Sequence, residues 1–326
     1  MNLRRLPVFL VLDVSESMAG APLQSLRDGT DALLSALRSD PRALEAVHLS
    51  MISFGAKVRQ LVPLVPLDDF VAPRLPLGTG TPLGAALGLL LQSLDSQIVA
   101  TSSDQKGDYR PLCFLITDGV PTDEWRMTAR ALRARVNRGS CTVVALACGP
   151  DADLSVLREI TPTVLAGGAD PVSLSAFFQF VTMSIRAASV ARGELPLETQ
   201  IPSHFSAQEG LVPPNSTERP VLFLVGRCQQ TRRPYVMKHR WDGKMYQQFE
   251  GVAVDEIEIG SRAGATAQSD LICPLPCPHC ANAIWAFCDC ERIFCCAGSH
   301  GRFTCPWCER TNNFSPSRFS LRGSGG

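Results

Sequence analysis

The apolar run Val8-Phe9-Leu10-Val11-Leu12 stops abruptly on Asp13-Val14-Ser15-Glu16-Ser17. A continuous apolar run of this length, β-branched and aromatic, predicts a strand buried on both faces, which is the strand type of parallel α/β sheets. Such a strand delivers one carboxylate and two hydroxyls to its C-terminal tip. A concave set of hard oxygens there suits Mg²⁺ or Mn²⁺ better than Zn²⁺ or copper.

Two later segments are built to meet it. Gly78-Thr79-Gly80-Thr81-Pro82-Leu83-Gly84 is a glycine-rich turn that presents threonine hydroxyls just before a helix whose first turn holds Pro82. Leu112-Cys113-Phe114-Leu115-Ile116-Thr117-Asp118-Gly119 is a second apolar strand that ends in a carboxylate. In open α/β sheets, ligands gather beyond the carboxyl ends of strands, where the strand order reverses.

Around these segments the chain alternates strand and helix as far as about residue 192. Strands are expected at Leu6–Asp13, Val47–Phe54, Lys57–Leu64, Leu112–Thr117, Cys141–Cys148 and near Val164. Helices are expected at Pro22–Arg38, Pro82–Leu94, Asp123–Arg138, Leu154–Ile160 and Leu174–Ala191. Only Gly55-Ala56 separates the second and third strands, so one of that pair runs antiparallel. The expected fold is a doubly wound, mostly parallel six-stranded sheet. Thr122-Asp123-Glu124 reads as the cap of the helix that follows it. The arginines of that helix, Arg126 to Arg138, scatter around it as a solvated surface.

A chain of 326 residues with 45% apolar content and a net charge of +0 can bury a sizeable core. It gives no electrostatic reason to expect nucleic acid as a partner. Asp13 ends the first apolar run too early for a signal peptide, and no stretch reaches the roughly 20 apolar residues of a membrane helix. A soluble, cytoplasmic protein is the expectation.

Residues 1–192 form the first expected domain, and the proline-interrupted stretch 193–218 is a linker. Residues 219–326 form a small β-rich module, with strands at Val221–Gly226, Pro234–Trp241 and Gly251–Ile259. No internal repeat is evident. Nine of the thirteen cysteines fall between Cys273 and Cys308. Cys113, Cys141 and Cys148 lie in apolar strands, and Cys228 stands alone. Two knuckles, Cys277-Pro278-His279-Cys280 and Cys305-Pro306-Trp307-Cys308, can each point two thiolates at one Zn²⁺, which makes Cys277, Cys280, Cys305 and Cys308 the expected structural site. Cys288, Cys290, Cys295, Cys296 and His300 remain for a second zinc. His279 is expected to be a bystander.

The series Asp-x-Ser-x-Ser, Gly-Thr-Pro-Leu and Thr-Asp-Gly resembles the metal-ion-dependent adhesion site of von Willebrand factor A domains. By that resemblance Ser15, Ser17 and Thr81 would give hydroxyl oxygens to Mg²⁺ or Mn²⁺, and Asp13 and Asp118 would bind it directly or through water. An acidic residue of a protein partner would fill the open position. Thr79 competes with Thr81 for the threonine role; Thr81 is preferred because it stands directly before Pro82-Leu83, as the threonine does in the family. With the cysteine-rich tail, the architecture looks like that of TerY-like tellurite-resistance proteins: an A domain followed by a zinc-ribbon-like module. The resemblance implies a non-enzymatic adaptor of a chemical-stress system whose partners include a protein kinase and a protein phosphatase. It also implies that Glu16 and the Ala19–Pro22 loop sit at the rim. Two other readings compete. A haloacid-dehalogenase-like phosphohydrolase also ends its first strand on Asp, but Ser15 stands where its acid/base Asp is needed. A RING-like ubiquitin-ligase scaffold also uses paired cysteines.

Overall fold

The computed structural model describes residues 4–102, 106–118, 120–149, 152–190, 221–260, 266–267, 271–297, 301–314, 321–322 and 324–325. In chain order the first part runs β1 (Leu6–Asp13), α1 (Ala21–Arg38), α2 (Pro41–Ala46), β2 (Val47–Phe54), β3 (Val58–Pro66), α3 (Leu83–Gln97), β4 (Leu112–Thr117), α4 (Arg126–Asn137), β5 (Thr142–Cys148), α5 (Leu154–Ile160), β6 (Thr163–Gly167) and α6 (Pro171–Val190). The six strands order as β3-β2-β1-β4-β5-β6. All pair in parallel except β3, which returns antiparallel to β2 through the tight turn at Gly55-Ala56.

Strand alternation divides the core. Val8, Leu10 and Leu12 face α1 and α6, while Phe9 and Val11 face α3, α4 and α5. β1 is central, buried along its whole length, and flanked by β2 and β4. The strand order reverses between β1 and β4, so the carboxyl ends of these two strands, Asp13 and the Thr117-Asp118 step, open on the switch point. The short helix α2 escaped the sequence reading, although Asp40 caps it by accepting from the Arg42 and Ala43 amides and Pro41 opens it.

The second part contains β7 (Val221–Arg227), β8 (Pro234–Trp241), β9 (Tyr246–Ala253), β10 (Thr266–Ala267), β11 (Leu271–Ile272), β12 (Ile284–Cys288), β13 (Arg292–Cys296), β14 (Gly301–Thr304), β15 (Thr311–Phe314), β16 (Leu321–Arg322) and β17 (Ser324–Gly325). Its main sheet orders as β11-β9-β8-β7-β13-β12. One face of that sheet, with Val225, Val236 and Val252, packs on the first core. The other face, with Leu222, Leu224, Tyr235 and Met237, packs on cysteines. The sheet is therefore a middle layer between the α/β domain and a thiol-rich layer. Residues 255–260, expected to continue a strand from Gly251 to Ile259, instead leave β9 and run as a strap to the threonine loop.

Candidate metal centres

β1 and β4 bring Asp13, Ser15, Ser17 and Asp118 to one place, and the threonine loop is tied beside them through Glu16. The Ser15 amide donates to Asp13 Oδ1 at 2.9 Å, and the Ser15 and Ser17 hydroxyls lie 2.8 Å apart. Ser17 Oγ then donates to Asp118 Oδ1 at 2.6 Å, across 101 residues of sequence. Asp13 Oδ2 accepts from the Thr117 hydroxyl at 2.6 Å, which fixes its rotamer. Asp13, Ser15 and Ser17 are buried; Asp118 is partly exposed at the mouth.

The threonine loop is stitched from two sides. The Thr81 amide donates to Thr122 Oγ1 at 3.0 Å, and the Thr122 amide returns a bond to the Thr81 carbonyl at 2.9 Å. Gly80 has φ +82°, a conformation that favours glycine, and its amide donates to Glu16 Oε2 at 2.5 Å. Glu16 is thus buried beneath the loop, not at the rim as expected. Asp123 also departs from expectation. Its carboxylate accepts from the Gly84 and Ala85 amides at 2.8 Å each, so it caps α3 from a distance, not α4.

Thr79 and Thr81 have different surroundings. Thr79 Oγ1 accepts from the Gly260 amide at 2.8 Å, and the Thr79 amide donates to the Glu258 carbonyl at 3.0 Å. The Glu258 amide donates to Leu77 at 2.9 Å, and Gly78 and Glu258 form a parallel bridge. Ion pairs Arg59–Glu258 at 2.9 Å and Arg74–Glu256 at 3.3 Å flank this strap. Thr79 therefore binds the second module, which leaves Thr81 beside Asp118's loop.

Burial dominates the electrostatics of this cluster. Burial pushes Asp13 up to about 6 and Glu16 up to about 7. Desolvation, reinforced by the charge of Asp13, pushes Asp118 up to about 8. Three carboxylates crowd one cleft, and the ammonium of Lys238 on β8 offsets them from one side. Lys238 Nζ donates to the Ala19 carbonyl at 3.0 Å and pairs with Glu250 at 3.1 Å. Two serine hydroxyls and two carboxylates converging at a switch point fit a hard divalent ion.

In the second module the thiols form two clusters, each with all four sulfurs within 4.8 Å of one another: Cys228, Cys277, Cys280, Cys295, and Cys288, Cys290, Cys305, Cys308. The single site expected from Cys277, Cys280, Cys305 and Cys308 is corrected: the knuckles serve different centres. The first meets Cys228 on the β7–β8 turn and Cys295 on β13; the second meets the Cys288-Asp289-Cys290 turn. Strand alternation separates the adjacent pair on β13, so Cys295 joins the first cluster while Cys296 packs in the other core without joining a cluster. Cys296 is thus not a cluster member as expected, and Cys288, Cys290 and Cys295 do not share one centre. His300 lies outside the described residues. Cys273 sits 3.4 Å from His239 Nε2, apart from both clusters.

The chemistry of the donor set fits zinc. Zn–S bonds of about 2.3 Å in a tetrahedron put sulfurs about 3.8 Å apart. Cys280–Cys295, Cys288–Cys308 and Cys290–Cys305 are separated by 3.5, 3.6 and 3.8 Å. Backbone amides of Gln229, Thr231 and Trp307 point at Cys295, Cys228 and Cys305 sulfurs, each at 3.4 Å, as thiolate ligands require. The Cys308 thiol is lowered to about 7, chiefly by the Arg310 amide, and Cys277 to about 5, chiefly by its bond with Cys295.

A local repeat underlies these turns. Cys228, Cys277 and Cys305 each accept at their carbonyl from the amide four residues on and donate their own amide to the carbonyl five residues on. The fifth residues of these turns, Arg232, Ala281 and Glu309, have φ near +60°, as does Glu291 after the Cys288 turn. In the Cys228 turn Thr231 stands where the other two have their second cysteine, which hid Cys228 from a search for paired cysteines. His279 Nε2 donates to the Pro234 carbonyl, 2.8 Å away, and His279 is outside both clusters, as expected.

The family model of the von Willebrand factor type A domain matches residues 8–179, and that of the TerY-C metal binding domain matches residues 245–323. Among solved structures, a von Willebrand factor type A protein from Catenulispora acidiphila is 14% identical with a TM-score of 0.44, covering 80% of this chain and 68% of that one. Proximal thread matrix protein 1 from the mussel byssus, in a form described as having a zinc-occupied MIDAS motif, is 15% identical with a TM-score of 0.40, covering 56% and 48%. The vWF domain of the pili tip protein Mfa5 from Porphyromonas gingivalis is 11% identical with a TM-score of 0.41, covering 59% and 98%. This chain spans about half the length of the mussel byssus protein. Among the described residues, no helix is long and apolar enough to cross a membrane.

Proposed function

This chain belongs to the von Willebrand factor type A family, with a TerY-C metal binding domain behind it, and we propose that it is a non-enzymatic, metal-dependent adaptor. Asp13, Ser15, Ser17, Thr81 and Asp118 would hold Mg²⁺ or Mn²⁺. When bound, the ion supplies an open position that attracts a carboxylate from a protein partner, because the cation is then the largest local charge. The observation that carries this reading is the chain of bonds Thr117–Asp13–Ser15–Ser17–Asp118, which orients oxygens from two distant strands toward one point.

The residues of the chain do the positioning. Asp13 is held by Thr117 and the Ser15 amide, and Glu16 fixes the threonine loop through Gly80. Ser15 stands two residues after Asp13, where a haloacid-dehalogenase-like phosphohydrolase needs its acid/base Asp; this favours binding over phosphoryl transfer. The two Cys₄ clusters would each hold a structural Zn²⁺, closed to substrate by four thiolates. Resemblance to TerY-like proteins suggests a tellurite or chemical-stress system, with a protein kinase and a protein phosphatase as partners and a cytoplasmic location.

The test is capture of partners by the immobilised full chain, in Mg²⁺ or in EDTA, together with Mn²⁺ binding by electron paramagnetic resonance. Asp118→Ala should abolish both while circular dichroism stays unchanged. Capture that survives Asp118→Ala and EDTA would refute a metal-bridged contact.

A further inference from the structure

A cavity of about 320 Å³ opens over Ser17 and Asp118. Its floor and near wall come from the α/β domain, at Pro22 and Ala169, but its far wall is the second module's sheet, with Phe223, Arg240 and Phe249. A carboxylate that reaches the adhesion site from this side passes that wall. The wall is a surface of fixed shape, because the module is tied to the domain by Lys238 on the Ala19 carbonyl and by the strap on Thr79.

The charges of the cavity are mostly paired. Lys238 and Glu250 neutralise one another at 3.1 Å. Asp170 accepts from the Val172 and Ser173 amides at the start of α6 and from the Ser173 hydroxyl. Asp118 faces the adhesion site. Arg240, by contrast, has no carboxylate partner among the described residues; its guanidinium lies 4.9 Å from the centroid of the Phe249 ring. Phe249 is itself 45% exposed. An unpaired guanidinium stacked on an exposed ring beside a carboxylate-seeking ion is complementary to an acidic, partly apolar peptide.

The geometry points to a composite recognition cleft: both modules read one partner segment, in which the metal-seeking carboxylate is joined by an apolar side chain for Phe249 and Phe223 and a second carboxylate for Arg240. This deepens the adaptor reading and rests on it. Arg240 and Phe249 are specificity-determining residues, and the second module is part of the binding surface.

The test uses the full, zinc-loaded chain and three fluorescein-labelled peptides, Gly-Ser-Asp-Leu-Glu-Gly-Ser, its reversed core Gly-Ser-Glu-Leu-Asp-Gly-Ser, and Gly-Ser-Asp-Ser-Ser-Gly-Ser, read by anisotropy in Mg²⁺ and in EDTA. One of the two Leu-containing peptides should bind about tenfold more tightly than the serine peptide, an exposed ion pair and a partly buried leucine together giving that factor. Arg240→Glu and Phe249→Ser should each erase most of the preference while Mn²⁺ affinity stays unchanged. Equal Mg²⁺-dependent binding of all three peptides, or a preference untouched by both substitutions, overturns the composite cleft and leaves the adaptor reading intact. Failure to bind Mn²⁺ overturns both, and Mn²⁺ binding with no capture of any peptide overturns the cleft.

Discussion

The two kinds of metal centre in this chain are built on opposite plans. The oxygen cluster gathers Asp13, Ser15 and Ser17 from one segment and Asp118 from another about a hundred residues on, in a domain with two large apolar cores of its own. The sulfur clusters draw most of their ligands from short turns, and the cores around them are small, with cysteines packed among aromatic and aliphatic side chains. The first domain can therefore stand without its ion. In the proposed reading the second, with its small cores, would depend on metal for its stability. One ion would then be a ligand of a finished fold, and the others would be part of the fold.

The largest expected effect breaks that comparison if it fails. Structural zinc binding is worth about 10–16 kcal/mol in apparent terms, more than the whole stability of an ordinary small domain. Cys295→Ser should therefore abolish the thermal transition of the second module and lower the zinc content from two ions per chain to one or none. Cys296→Ser, one residue on but outside the clusters, should keep both zinc ions. Equal damage from the two would return the ligand assignment to the adjacent pair.

Next in size is the adhesion site. Substitutions in residues that merely orient ligands typically cost 10–100-fold in metal affinity, so loss of a ligand itself should cost at least about 100-fold. Thr81→Val and Asp118→Ala should reach that level for Mn²⁺ while the melting temperature of the α/β domain changes little. Thr79→Val should not. If Thr79→Val weakens Mn²⁺ as much as Thr81→Val does, the threonine assignment is reversed.

The same contrast explains what could be read in the sequence. β1 and β4 announce themselves as apolar runs ending in aspartate, and their tips lie together because a doubly wound sheet leaves few alternatives. The antiparallel return of β3 followed from the length of its turn. Contacts between modules left no such trace. Glu256, Ile257, Glu258 and Ile259 alternate as a half-exposed strand would, yet this segment binds a loop, and only the position of Thr79 in space reveals it. Asp123 looked like a cap for the helix after it because capping is usually local; here it accepts from the first-turn amides of α3, distant in sequence. Cysteine spacing located both knuckles but could not show how they are shared. Sharing depends on β13 sending Cys295 and Cys296 to opposite faces, and on a lone Cys228 folded into the same turn as its paired counterparts.

A moderate effect of pH should sharpen the comparison further. Asp13, Glu16 and Asp118 titrate above ordinary carboxylates in the metal-free fold, at about 6, 7 and 8. An acid whose folded value is raised holds its proton more tightly when folded, so metal-free stability falls as pH rises from the unfolded range near 4 through those values. A divalent ion neutralises the same oxygens. The rise in melting temperature of the α/β domain on adding Mg²⁺ should thus be larger at pH 8 than at pH 6. The reverse order would show that burial of these carboxylates is offset by something other than the ion.

The smallest effect concerns the strap that joins the two plans. Thr79→Val removes an acceptor from the Gly260 amide, a net loss of about 1 kcal/mol. That loss is too small to detach the module, because Lys238 still binds the Ala19 carbonyl and Arg59 still pairs with Glu258. It should show locally, as faster hydrogen exchange at Gly260 and Thr79, with exchange in β8 unaltered. Exchange that quickens throughout β7 to β9 would mean the strap holds the whole second module in place, and the two metal plans would then share one cooperative unit.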